Sequence, residues 1–402
     1  MNSYNLSILI KRALFYKALF ILFLNCNFAQ LLPDVQSSSL WVVKEDMTDT
    51  SKINSIFNFA DSNNIDKLFI EVLSNGESLY NSNLIPQYIK SDTISFDPLN
   101  YFLNKANNYN IEIHASINAY LLWSQSIPPL DTNHYYYNCN DCFEKDFNGK
   151  SDGNINLLDY QSKKWEGIFI SPIHPEVNKF LFSIVGDLIE NYNIHGIHFN
   201  YLRYQDSFYG YNNKGIENFI DIYNFNPKDI NRGLISTRFG YSKPEVDSLN
   251  SLWDNYRISK ITELVRSVKY KIITDSLNIK LSASVKPNFN ESKNRWYQDW
   301  MSWIDENIID FVIVKNFDTE NKFLYNSKFI ANNVNSSILE NKIYMGLSTS
   351  LYNLNKLPDQ ILFTRLLGYK NFNISSYETE QDTLNLYAPI YNVLNFNLDY
   401  EY

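Results

Sequence analysis

Eight short apolar runs, each separated from the next by a helical pattern, most constrain the fold of this 402-residue chain. The runs are four to seven residues long and rich in Ile, Val and Phe, as buried parallel strands are. Eight alternations of strand and helix predict a single (β/α)8 TIM barrel of the α/β class. The runs are Leu40–Val43, Lys67–Val72, Ile111–Ile117, Gly196–Phe199, Ile279–Val285, Ile309–Val314, Lys342–Leu347 and Asn371–Ser375.

The segments between the runs have the spacing of amphipathic helices. An open doubly wound sheet is the alternative, but it usually has fewer strands and a glycine-rich first turn, and no such motif is present. We expect insertions after strand 3 (about 121–172) and after strand 4 (about 205–250). The helical segments are Thr50–Asn63, 97–110, 175–192, Leu252–Leu277, Arg295–Asn307, Asn321–Asn333, Asn355–Gly368 and Asp382–Asn395.

The first 29 residues have the pattern of a secretory signal peptide. Three basic residues precede the apolar run Ala18–Leu24, and Asn27-Phe28-Ala29 offers a cleavage site. The run is shorter than the roughly 20 residues of a membrane span. An uncleaved anchor is the alternative. We predict an exported protein, periplasmic or extracellular, with the barrel over residues 38–402 and no membrane span in the mature chain.

Charge and motifs exclude several functions. The net charge is −9 without a basic block, which argues against nucleic-acid binding. Neither H-E-x-x-H nor G-x-S-x-G occurs, so the sequence predicts no metal, no cofactor and no serine nucleophile. The sequence gives no indication of the oligomeric state.

Two cysteines of the expected mature chain lie in the segment YNCNDCF. Cys139 and Cys142 are predicted to form a local disulfide, as expected in an oxidising compartment. Free thiols are the alternative. A zinc site would need about four ligands, and His134 is the histidine nearby in the sequence.

Polar residues collect at the ends of several predicted strands, which is where barrels carry their sites. Alternation gives three sets that point inward, because every second side chain of a strand shares one face. These sets form either a polar plug with its hydrogen bonds satisfied or a binding site, and the repeated polarity at one end favours a site. The sets are His114, Ser116 and Asn118; His198 and Asn200; Ser282, Ser284 and Lys286.

Several blocks together resemble the bacterial glycosyl-hydrolase-like family 10. The segment HASINAY is similar to the family's His-Ala-x-x-Asn-x-Tyr. The segment HGIHFNYLRYQ (195–205) resembles the family's block Asp-Gly-Ile-His-Phe-Asp-Tyr-x-Arg-Tyr-Pro. The resemblance spans nearly the whole expected mature chain and implies an exported barrel that hydrolyses polysaccharides, with peptidoglycan glycan strands among the family's substrates.

The chain departs from the family pattern at positions that matter for chemistry. Asn200 stands at the family's strand-4 aspartate, His195 at the preceding aspartate and Gln205 at the proline. The family's strand-6 Pro-Met-Asn is Val314-Lys315-Asn316 here.

Glycoside hydrolysis usually needs two carboxyl groups, and Asn200 cannot ionise. Of the acids near strand ends, we predict Glu71 and Glu378 as the catalytic pair. A glycan-binding barrel without turnover and a scaffold for a protein partner are the alternatives. His198 is either a site residue or a core histidine beneath it. The residues predicted to bind a polysaccharide or oligosaccharide are His114, Asn118, Tyr120, His198, Asn200, Tyr201, Arg203, Lys286 and Tyr377.

Overall fold

Eight parallel strands close into a barrel, as predicted. The computed structural model describes residues 32–88, 96–156, 166–350, 354–377 and 386–396. Each barrel strand pairs in parallel with its two neighbours, and the last strand pairs with the first, so the sheet has no free edge. The barrel strands are β1 Ser37–Val42, β2 Lys67–Ser74, β4 Glu112–Asn118, β7 Gly196–Asn200, β8 Lys280–Val285, β9 Phe311–Lys315, β10 Ile343–Ser348 and β11 Asn371–Ser375.

Helices follow the strands and cover the outside of the barrel. The short helix Trp300–Asp305 packs Trp300 and Trp303 into the core. The helices are α1 Thr50–Ser62, α2 Pro98–Ala106, α3 Tyr135–Asn138, α4 Val177–Asn191, α5 Asn213–Tyr223, α6 Lys228–Asn231, α7 Lys243–Thr274, α8 Phe289–Trp296, α9 Trp300–Asp305, α10 Glu320–Asn333, α11 Ser336–Lys342, α12 Leu357–Leu366 and α13 Ala388–Leu394.

Among the differences between the predicted and the observed helix boundaries, two have clear local reasons. Helix α7 begins nine residues before the predicted Leu252, because Ser242 and Glu245 form a capping box. The predicted helix Arg295–Asn307 is two helices, because Tyr297 adopts a left-handed conformation with φ 54° and ends α8. Strand β1 begins at Ser37, where it pairs with Asn371 of β11.

The expected insertions flank β7. The first carries strands β5 Leu121–Trp123 and β6 Ile168–Phe169, which pair antiparallel, and helix α3. The second carries α5 and α6. A further short strand, β3 Glu77–Ser78, folds back on the end of β2. No helix within the described residues is long and apolar enough to cross a membrane. The predicted signal peptide lies outside the described residues.

Inside the barrel, side chains from alternate positions form a separate apolar cluster. Trp41, Phe69, Phe311, Ile313 and Tyr344 pack against one another there. The rings of Trp41 and Phe69 are stacked with centroids 6.3 Å apart. Above this cluster the inward positions of the same strands become polar, which sets the level of the candidate site.

Candidate active site

A polar layer lies directly on the apolar cluster, and we call it the floor: His198, Ser282 and Ser284. The two ring nitrogens of His198 lie 2.9 Å from the Ser282 and Ser284 hydroxyls. Burial, together with the nearby charge of Lys315, holds the pKa of His198 well below its usual value, so the ring is neutral. Trp41 packs edge-on against the imidazole at 5.4 Å. The floor is therefore a polar plug with its hydrogen bonds satisfied.

Above the floor, a row of hydrogen bonds crosses the barrel, and we call it the mouth network. The Asn118 amide donates to the Glu71 carboxylate at 2.8 Å, and the Asn200 amide donates to Asn118 Oδ1 at 2.9 Å. Lys315 Nζ donates to Asn200 Oδ1 at 2.9 Å. The network thus joins a carboxylate on β2 to an ammonium on β9 through two amides whose orientations are fixed.

An open cavity of about 410 Å³ lies beside the mouth network, over the ends of β7, β8 and β9. This volume falls in the usual range for small-ligand sites. Its walls combine charged groups, amides and the aromatic rings of Tyr201, Trp296 and Phe317. The remaining lining residues are Glu166, Asn200, Arg203, Ser284, Val285, Lys286, Pro287, Asn288, Glu291, Arg295, Gln298, Lys315, Asp318, Lys322 and Asn326.

Two lysines of the cavity have perturbed acidity. Burial and, to a smaller extent, the charge of Arg203 lower the pKa of Lys286 to about 8. Burial likewise lowers the pKa of Lys315 to about 8; Glu71 opposes this effect, and Lys286 adds to it. Each ammonium lies over an aromatic face, with Lys286 5.0 Å from the Trp296 ring and Lys315 4.6 Å from the Trp41 ring.

Arg203 joins the cavity to the first insertion. Its Nη2 donates to both Glu166 oxygens at 2.7 and 2.6 Å, and Nη1 donates to the carbonyl of Tyr204. Its guanidinium also lies 5.6 Å from the ring of Tyr201, which adopts a left-handed conformation with φ 52° at the end of β7. Glu166 thereby forms one wall of the cavity.

Four residues predicted to bind substrate line the cavity, and they are Asn200, Tyr201, Arg203 and Lys286. Glu71 and Asn118 lie behind Asn200 in the mouth network. His198 belongs to the floor, as the core-histidine alternative expects. Glu378, the second predicted catalytic acid, lies outside the described residues.

Three predicted binding residues are not brought to the cavity. His114 is buried near the opposite end of the barrel, where its Nε2 lies 3.2 Å from Glu112. The Tyr120 hydroxyl donates to Asn178 on α4 at 2.8 Å, so this ring points outward. Tyr377 is buried against Phe59 on α1. His114 lies near the start of β4, away from the mouth of the barrel. Tyr120 and Tyr377 each lie beyond the end of a barrel strand, after its last residue that points inward.

The sequence prediction left out Lys315 and Glu166. Lys315 could have been found by alternation, because Phe311 and Ile313 are inward residues of the same strand. Glu166 lies 37 residues before its partner Arg203 in an irregular segment, and no sequence signal joins the two.

Cys139 and Cys142 are joined by a disulfide in the first insertion. The histidine beside them is His174 rather than His134, with Nδ1 3.4 Å from Cys142 Sγ. His134 instead bonds the carbonyl of Asn75. Among the described residues, one set of side chains could hold a metal ion, and its members are Cys139, Asp141, Cys142 and His174. The disulfide occupies both sulfurs of that set.

Comparisons with known proteins agree with this architecture. The sequence profile of the family described as Glycosyl hydrolase-like 10 matches residues 35–359. No curated protein sequence matches the chain.

Among solved structures, the PgaB (BpsB) glycoside hydrolase domain from Bordetella bronchiseptica is similar, with a TM-score of 0.66, 10% identity and coverage of 92% of this chain and 100% of that one. The catalytic domain of β-amylase from Paenibacillus polymyxa has a TM-score of 0.53, 12% identity and coverage of 85% and 92%. Alpha-L-fucosidase isoenzyme 2 from Paenibacillus thiaminolyticus has a TM-score of 0.58, 10% identity and coverage of 88% and 48%. At these identities the likeness is one of fold.

Proposed function

Since the chain belongs to the glycosyl hydrolase-like 10 family, we propose that it hydrolyses a polysaccharide at the barrel mouth, with peptidoglycan glycan strands as a candidate substrate. The observation that carries the proposal is the Glu71 carboxylate near the carboxyl end of β2, which accepts a hydrogen bond from the Asn118 amide at 2.8 Å. Function in this fold sits at that end of the barrel.

In the proposed reaction, Glu71 is the nucleophile or the base that activates water. Its Oε1 accepts from Asn118, and the backbone N–H of Lys44 lies 3.4 Å from Oε2. Such contacts fix the direction of a carboxylate, as attack on a glycosidic carbon requires. The second carboxyl group, which protonates the leaving oxygen, is proposed to be Glu378. Asn200 contributes an amide that orients Asn118.

Glycan binding without turnover is the second candidate, and one observation favours it. Asn200, at the position of the family's aspartate, accepts a hydrogen bond from Lys315, which stands at the position of the family's methionine. Each acid that lines the cavity, within the described residues, already has a cationic partner: Arg203 for Glu166, Lys322 for Asp318 and Arg295 for Glu291.

An assay of turnover separates the two candidates. Denuded peptidoglycan and other β-linked glycans are the substrates, and the reducing ends that are released are measured. Under the hydrolase proposal the native protein releases reducing ends, and Glu71→Gln lowers the rate by about 10²–10⁴-fold. Glu45→Gln, an exposed acid at the same end of the barrel, is the matched control and keeps the native rate. Turnover unaffected by Glu71→Gln would refute the assignment.

Binding without turnover in the native protein, with turnover appearing once Asn200→Asp is combined with Lys315→Met, would establish the second candidate. We also propose that residues 1–29 direct export to the periplasm or the medium. The N-terminal sequence of the protein recovered from those fractions tests this, since cleavage after Ala29 leaves Gln30 first.

A further inference from the structure

Lys286 and Lys315 differ from the other cations around the cavity because neither forms an ion pair with an acid of the described residues. Arg203, Arg295 and Lys322 each have an acidic partner within 4.0 Å. Throughout the described ranges, no Asp or Glu oxygen lies that close to the ammonium of Lys286 or Lys315. A half-buried cation without an acidic partner is unfavourable, because the charge loses part of its hydration and gains no ion pair in return.

The two lysines converge on one wall of the cavity. Lys315 ends β9, and Lys286 directly follows β8, the neighbouring strand. Both line the cavity together with Asn200 and Trp296. The charge of Arg203 adds to this positive region, but its Nη2 is already paired with both oxygens of Glu166.

We propose that Lys286 and Lys315 form a subsite for the carboxylate of an acidic sugar, so that the substrate is a negatively charged glycan. This deepens the proposed function and rests on it. A carboxylate has two oxygens for two single-point donors, and it supplies the acidic partner that these two lysines lack. The face of Trp296 beside Lys286 offers apolar area for the sugar ring.

Two chemical sources carry such a carboxylate: a lactyl ether on the sugar, as in muramic acid, or the C6 carboxylate of a uronic acid. The pKa of both lysines near 8 fits an unliganded anion site, since a bound carboxylate favours the charged form of each amine. Binding is therefore expected to be strongest below pH 8 and to weaken as the pH rises to 9, when the lysines lose their protons.

Calorimetric titration of the full chain with matched oligosaccharides tests the subsite. The probes are a β-1,4 GlcNAc tetrasaccharide, a GlcNAc–MurNAc tetrasaccharide that differs by its lactyl groups, and tetragalacturonate. At least one carboxylated glycan is expected to bind about 10-fold or more tightly than the neutral one, and the tighter of the two identifies the source. Lys286→Met and Lys315→Met should each weaken that binding by about 10- to 100-fold, the contribution of a charged hydrogen bond.

The matched control is Lys293→Met, because this lysine lies on α8 outside the lining of the cavity and is paired with Asp299. It should bind the carboxylated glycan as the native protein does. An unchanged circular dichroism spectrum and an unchanged unfolding temperature show that the two test variants are folded. Should either variant not fold, the weakening between pH 7 and pH 9 in the native protein tests the same charges.

The two proposals fail in different ways. Equal binding of neutral and carboxylated glycans, or carboxylated binding that survives both methionine substitutions, overturns the subsite and leaves the glycan site intact. Absence of binding to all three probes overturns the proposed glycan function and the subsite with it.

Discussion

Replacing Asn200 by aspartate should change the state of Lys315 before it changes any chemistry. In the native protein Lys315 Nζ donates to the neutral Oδ1 of Asn200 at 2.9 Å. The substitution puts a carboxylate at that position with almost no change in shape, so the perturbation is close to pure charge.

The size of the effect follows from the distance. At an effective dielectric constant of about 20, two unit charges about 3 Å apart attract by about 5–6 kcal/mol. Burying the new carboxylate offsets much of this. If only a quarter remains, the pKa of Lys315 rises by about one unit, because a unit corresponds to about 1.4 kcal/mol. We therefore expect the pKa of Lys315 to rise from about 8 to about 9 or higher.

The same substitution should disturb Glu71. A carboxylate oxygen at the position of Asn200 Nδ2 would face Asn118 Oδ1, which now accepts from that amide. The amide of Asn118 then turns to donate to residue 200, and its bond to Glu71 is lost. The family pattern pairs the aspartate with a methionine at position 315, so Asn200→Asp with Lys315→Met is the variant expected to leave a carboxylate free of the ammonium.

Lysine titration by NMR measures the prediction. Reductive methylation with ¹³C-formaldehyde labels each lysine, and the Lys315 signal is the one missing in Lys315→Met. Lys286→Met serves as the control that identifies the other lysine with a pKa near 8. A pKa of Lys315 that stays near 8 in Asn200→Asp would show that residue 200 does not contact this ammonium, and the mouth network would be wrong.

Two further predictions concern stability. Gly196→Ala should lower the free energy of unfolding by about 1–3 kcal/mol, because the new Cβ would lie 2.1 Å from Nδ1 of the buried His114. The control is Gly186→Ala in α4, whose Cβ would have its nearest contact 3.8 Å away, and it should leave the free energy of unfolding in urea unchanged or slightly higher. Equal effects of the two substitutions would refute the clash. Burial raises the pKa of Glu144 to about 8, so the folded state holds this proton where the unfolded state has released it, and stability falls as the pH rises from about 4 to 8. Glu144→Gln should therefore lose less stability than the native protein between pH 6 and pH 9 in urea titrations, and equal losses would contradict the assignment.

The barrel could be predicted from sequence because its signals are local. Each apolar run is one strand, and alternation correctly put His198 and Asn200 on one inward face, with Ser282 and Ser284 bonded to His198 from the next strand. The depth of each residue along its strand could not be read in the same way. His114 has the right face but lies at the wrong end of the barrel.

The walls of the site depend on contacts that are distant in sequence. Glu166 reaches Arg203 from an insertion whose path no periodic pattern encodes. Tyr120 and Tyr377 follow strand ends, where the chain leaves the pleat and alternation no longer fixes direction. Whether such an aromatic ring faces the cavity or the helices is decided by packing, for Tyr120 by its bond to Asn178.

The completeness of the floor has an evolutionary consequence. Both ring nitrogens of His198 are bonded to serines of the adjacent strand, so the hydrogen bonds of the floor do not involve the residues of the mouth network. We therefore expect mutations at Asn200 or Lys315 to leave the hydrogen bonds of the floor intact. A lineage can pass through an inactive intermediate, or acquire a new substrate, on a scaffold whose folding is already secured.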